Sequence, residues 1–257
     1  MILRLIGHET RVLLRARRVR LAAGLVAYAL LAAPVLLARP PAHVVAAAAG
    51  WFRAADPELA LFLFIWVDLA LNKLAAVLGV ILAGGVVRED QSRGLLALLW
   101  SKPITRAQYY LAKVAAAALV LALFLGGAAL VGLLVFPPQI PAFRALPFLA
   151  VSGVHLVGAL FAVTLSALVA ALIPRRLVAL LVSLVILTLL VGTAFLGFYN
   201  PAWAAYAELN PFYHAVWLLG HLGDLRPGLA LRPLAVLLAL HAVTLGLGVL
   251  AVRRIEA

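Results

Sequence analysis

Asp68, Asn72 and Lys73 fall within six residues of one another in an otherwise apolar run, Leu59 to Val87. A charge near the centre of a bilayer costs on the order of 2.5–3.5 kcal/mol, so residues of this kind face a cavity or a partner. On an α-helix Asp68 and Asn72 share a face, whereas Lys73 points roughly 140° away from Asp68. The two charges are therefore not expected to pair along the helix. Two readings stay open: a polar lining for a translocation path, or an interhelical lock. His155 stands alone in another apolar run and joins the candidate path, and His241 stands alone in a third. The ordinary use of such a histidine is a hydrogen bond between helices; its chemical use is proton relay. With Asp68, Lys73 and His155 as acid–base groups, an enzyme embedded in the membrane is a distinct alternative, and a passive membrane scaffold that anchors an assembly is another. His214, His221 and Asp224 follow at spacings of seven and three, which would place them on one helical face fit for a metal. Gly220, Gly223 and the aromatic neighbours favour an interfacial turn instead, and no metal site is assigned.

Several chemistries are missing. A Walker-type phosphate loop needs a lysine directly after glycine. The three lysines, Lys73, Lys102 and Lys113, follow Asn72, Ser101 and Ala112, so the chain cannot hydrolyse ATP by that route. His8–Glu9 opens a zinc-protease string, but Val12 stands where the second histidine belongs. There is no Gly-x-Ser-x-Gly elbow. With no cysteine, disulfides and thiol catalysis are excluded; with one methionine besides, a soft copper(I) route is poorly supplied.

The elements that must position these residues are membrane helices. Hydrophobic residues make up 67% of the chain and charged ones 12%, against about a quarter charged in soluble domains. Apolar runs predict six spans over 21–38, 59–87, 109–136, 146–173, 177–199 and 234–252. The segment 39–58 reads as a loop with an interfacial stretch near Trp51 and Phe52, and Pro137, Pro138 and Pro141 end the third span. Gly158, Ala162, Ser166 and Ala170 form a ladder of small residues that lets helices approach closely. Residues 1–20 read as an amphipathic helix with Arg4, Arg11, Arg15 and Arg18 on one face, lying on anionic headgroups; a solvated extension of the first span is the alternative. No cleavable leader is expected. Residues 200–233 read as short aromatic-rich helices at the outer surface, partly re-entrant.

The net charge of +12 does not point to nucleic acid, because the cations sit at span ends. Fifteen lysines and arginines fall on the side of both termini and the 88–108 segment. Five fall on the other: Arg39, Arg53, Arg144, Arg226 and Arg232. The richer side is expected to be cytoplasmic.

Between the second and third spans, Glu89 or Asp90 is followed by Gly94, Leu95, Leu98, Leu99, then Pro103, Arg106 and Lys113. This pattern resembles the cytoplasmic coupling loop of ABC-2-type exporter permeases, departing from it at Ser92–Arg93. The basic N-terminal helix, the six-span plan and an acidic-x-Asn-Pro point, here Glu208, Asn210 and Pro211, are similar too. The resemblance implies an all-α integral membrane fold with a coupling helix over 88–108 and an external gate at 200–233. It implies a homodimer or paired permease in a prokaryotic inner membrane, docked on separate ABC ATPase subunits that carry ATP and Mg. Glu89 and Arg106 are then the expected force-transmitting residues. For Glu208 alone, a helix stop is the simpler reading. The substrate is not legible.

Overall fold

The structure, a computed structural model, describes residues 2–51, 57–140, 143–221 and 227–255. Phe52, Arg53, Pro141, Asp224 and Arg226 lie outside the described residues. Among the described residues there is no strand. Six helices are long and apolar enough to cross a membrane: Arg17–Ala38, Leu61–Ser92, Arg106–Val135, Ala145–Leu172, Arg176–Thr193 and Gly228–Val252. In chain order these are the first to the sixth span. A helix closes its backbone hydrogen bonds within itself, which is what an apolar solvent demands. The chain is thus an all-α protein of multi-pass membrane type.

The second and fourth spans form the interior. Their apolar stretches are 76% and 67% buried, against 17–33% for the other four. The fourth span's small residues make the seam. A Cβ added to Gly79 of the second span would lie 2.5 Å from Cβ of Ala162. One added to Gly158 would lie 2.7 Å from the Pro211 carbonyl oxygen. At the far end Phe62, Trp66, Phe136 and Phe148 pack as an aromatic cluster with ring centroids 5.0–5.9 Å apart. Edge-on and tilted pairs of this kind add about 0.5–1.5 kcal/mol each beyond area burial. Trp66 Nε1 donates to Ser152 Oγ at 2.9 Å, so the indole has its partner.

Three local features differ from the sequence reading, and a fourth deepens the re-entrant segment it expected. First, the N-terminal helix ends at Arg15, where Ala16 takes an extended ψ of 143°, and Arg17–Ala38 starts a new helix. Arg17, Arg18 and Arg20 therefore open the first span rather than close the interfacial helix. Second, residues Ile65–Asn72 form a π-helix. Its hydrogen bonds run to the fifth residue, so positions five apart come onto one face. Third, the second span continues after a turn at Gly84–Gly85 to Ser92, so Arg88, Glu89 and Asp90 lie on a helix packed into the bundle. Fourth, the segment after the fifth span enters the bundle deeply. The Pro211 carbonyl reaches Gly158, midway along the fourth span, and six of the seven residues of helix Tyr213–Leu219 are buried.

Candidate functional site

The polar end that bears the N-terminal helix (Ile2–Arg15) holds an ion network joining four parts of the chain. Lys113 Nζ lies 2.6 Å from Glu9 Oε2 and 2.8 Å from Asp90 Oδ2. Tyr109, one turn earlier on the third span, donates its hydroxyl to the same Asp90 oxygen at 2.7 Å. The neighbouring Glu89 takes Arg18 Nη1 at 3.0 Å and Arg93 Nη2 at 2.8 Å, with Arg176 at 4.0 Å. Glu9 belongs to the N-terminal helix, Arg18 to the first span, Glu89 and Asp90 to the second, and Lys113 to the third. The Lys113 pairs are largely shielded, with 11–15% of each side chain exposed. Removing one member of such a pair leaves an uncompensated buried charge.

Arg88 plays a part that the sequence did not disclose. Its Nε donates to the carbonyls of Ala170 at 2.9 Å and Ile173 at 3.1 Å, and its Nη2 to that of Ala171 at 2.8 Å. These are the open carbonyls at the end of the fourth span, so Arg88 caps that helix from the side. Nη1 donates to Gln91 at 2.6 Å.

Beyond this network the chain turns through Gly94, whose φ of +69° suits glycine, into the short helix Leu95–Trp100. Leu96 packs into the core at 1% exposure, while Leu98 stands 61% exposed and Leu95 38%. Pro103 is exposed in the following turn. Thr105 and Gln108 then form a reciprocal capping box that starts the third span. Arg106 stacks 4.2 Å over Trp100 and donates to the Arg253 carbonyl at 2.6 Å. It therefore fastens the short helix to the end of the sixth span.

The four residues expected along a translocation path do not share one cavity. Lys73 Nζ meets Asp68 Oδ2 at 3.4 Å, contrary to the α-helical expectation, because the π-helix brings residues five apart together. Lys73 lines an apolar cavity of about 330 Å³ between the first and second spans, with Tyr28, Ala32 and Leu36 on its other wall. Asn72 points elsewhere: it is fully buried, and neither its amide nitrogen nor its oxygen has a hydrogen-bond partner. His155 on the fourth span is 1% exposed and packs 6.1 Å from the Phe212 ring. Its ring is set against the Leu71 backbone, whereas the hydroxyls of Ser166 and Ser183 lack a hydrogen-bond partner. Asp68 and Lys73 thus face the rim of the bundle, while Asn72 and His155 face its interior. The three residues of the embedded-enzyme alternative stand in two different surroundings.

At the opposite end, Asn210 fixes the entering segment. Its Nδ2 donates to the Leu190 carbonyl at 2.7 Å and to Thr193 Oγ1 at 3.1 Å, and its Oδ1 accepts from the Phe212 amide at 3.0 Å. Pro211 follows directly against Gly158. Glu208 pairs with Arg232 at 2.6 Å on the surface. His214 Nε2 donates to the Glu208 carbonyl at 3.0 Å. Burial pushes the His214 imidazole below its usual pKa, against the opposing pull of that carbonyl. His221 Nδ1 donates to the Trp217 carbonyl at 2.9 Å. Among the described residues no three His, Cys, Asp or Glu side chains gather to hold a metal. His241 of the sixth span donates to the Val157 carbonyl at 2.8 Å, a bond between helices.

No protein-family model matches the chain, and no curated protein is significantly similar to it. What the geometry establishes is an all-α chain of multi-pass membrane type, with an ion network at one end and a deeply inserted segment at the other.

Proposed function

We propose that this chain is the membrane subunit of an ATP-driven exporter of the ABC-2 type, working as a dimer with separate ATPase subunits. The observation that carries the reading is the arrangement at the basic end. A six-residue helix there presents Leu95 and Leu98 outward, while its base is tied by Arg106 to the sixth span. The adjoining Glu89–Asp90 pair is tied to the N-terminal helix and to the first and third spans. A partner that grips the exposed leucines would move several spans together. The sequence lacks a phosphate-loop lysine of its own, so ATP and Mg belong to that partner. The excess of lysine and arginine at this end supports reading it as the cytoplasmic side, and the exporter reading adds a prokaryotic inner membrane. In this reading Asn210 and Pro211 hold the outer segment as an external gate, wedged against the fourth span.

Leu98→Glu should weaken docking by roughly thirty-fold, a hot-spot loss of about 2 kcal/mol, and should abolish transport-coupled ATP hydrolysis without unfolding the chain. Charge reversal at Glu89 or Arg106 should leave the ATPase bound but uncouple hydrolysis from export. Intact transport in all three variants would overturn the proposal.

A further inference from the structure

Between the N-terminal helix and the end of the second span lies a cleft of about 280 Å³. Its floor is Leu13, Val86 and Asp90, all buried, and its rim carries Arg15, Arg18 and Arg93 around Glu89. Lys113, also on the wall, is matched by Glu9 and Asp90. On the other side Glu89 is shared by Arg18 and Arg93, so two guanidiniums meet one carboxylate. Arg18 Nε is buried and has no hydrogen-bond partner. Arg15 is exposed, with no carboxylate set against it among the described residues. Four cations and three carboxylates line the cleft, leaving one surplus positive charge beside the free guanidinium donors, an arrangement complementary to a phosphate group, which guanidinium forks bind in pairs.

The surroundings say where that phosphate comes from. The N-terminal helix exposes Leu3, Val12 and Leu14 beside Arg4, Arg11 and Arg15. Apolar and cationic residues exposed together on one helix fit the boundary between headgroups and acyl chains. Val12 itself lines the cleft.

We propose that this cleft is a binding site for the phosphate of one anionic phospholipid, held by Arg15, Arg18 and Arg93. The bound phosphate competes with Glu89 for Arg18 and Arg93. It thereby makes the clamp between the N-terminal helix and the second span dependent on lipid charge. The site needs neither nucleotide nor an ATPase partner, so it stands or falls separately from the transport reading.

The test is native mass spectrometry of the purified full chain, titrated with phosphatidylglycerol or phosphatidylcholine. One phosphatidylglycerol per chain should be retained in preference to phosphatidylcholine. The pair R18Q and R93Q should lower that preference by roughly thirty-fold, two near-surface arginine contributions. E89Q, which removes the competing carboxylate, should raise it, and this variant keeps the test decisive if the double variant fails to fold. The control pair R17Q and R20Q removes two exposed arginines outside the cleft and should change the preference far less. Equal loss in the control pair would mean a diffuse surface field and overturn the site. A lower preference in E89Q would overturn the competition. Displacement of phosphatidylglycerol by millimolar inorganic phosphate would mean a free-anion site and overturn the lipid assignment.

Discussion

The basic end and the membrane interior treat polar side chains in opposite ways. At the end, Glu9, Glu89 and Asp90 each have a cation within 3.0 Å, and Tyr109 adds a hydroxyl. In the interior, Asn72, Ser166 and Ser183 are buried without hydrogen-bond partners. A satisfied network holds its members in one arrangement, whereas each unsatisfied buried group costs about 1–3 kcal/mol where it stands. The carboxylates at the end are thus each held by a cation, which suits the Lys113 pairs to act as a rigid link, while Arg18 Nε and Trp100 Nε1 there stay without partners. The interior carries polar groups that packing alone does not explain, which suits a region that changes its neighbours when the spans move.

The largest effect should come from breaking the satisfied side. Lys113→Met strands Glu9 and Asp90 close together and should destabilise the chain by about 3–5 kcal/mol, read from thermal or denaturant unfolding in detergent. Adding Glu9→Gln and Asp90→Asn should recover most of the loss. A small effect of Lys113→Met alone would mean that the network is not a unit.

The opposite sign is expected inside. Asn72→Leu and Ser183→Ala remove unpartnered buried polar groups, and each should be neutral or stabilise by about 1–3 kcal/mol. If these groups also serve transport, the same variants should lose it while gaining stability. Destabilisation of both would contradict the contrast between the two regions.

Gly94→Ala tests the turn between the network and the exposed leucines. The left-handed φ should make it cost about 1–2 kcal/mol and shift protection of Leu95–Trp100 in hydrogen exchange.

The smallest effect concerns the inserted segment. Burial holds the His214 pKa below 6.5, so the fold favours the neutral ring. That contribution is full above the unfolded pKa and is lost as pH falls through about 6.5 and below, where the unfolded chain takes up the proton more readily. Protection factors at Tyr213–Leu219, corrected for intrinsic exchange, should fall on acidification, and His214→Gln should remove that dependence. The exposed Glu208–Arg232 pair should matter less still, about 0–1 kcal/mol.

The fold class was legible because apolar run length alone sets a span. Leu146 to Ile173 reads almost as Ala145–Leu172. The second span shows where legibility stopped. Nothing in Ile65–Asn72 separates a π-helix from an α-helix, since the segment is apolar on nearly every face and has no stripe to shift. The pairing of Asp68 with Lys73 was therefore assigned the wrong geometry. Arg88 looked like a loop charge because its partners, the carbonyls of Ala170, Ala171 and Ile173, leave no mark in side-chain chemistry. Lys113 and Glu9 lie about a hundred residues apart, and only the packing of the N-terminal helix on the third span brings them together. The break at Ala16 had no proline or glycine to announce it.

The most direct test of the central claim uses the absence of cysteine in the chain. A single Leu98→Cys variant, treated in intact cells with a permeant cross-linker, should join to a separate ATP-binding polypeptide. The same thiol should resist an impermeant reagent added outside. Labelling from outside, or a full yield of folded chain with no ATP-binding partner, would contradict the account.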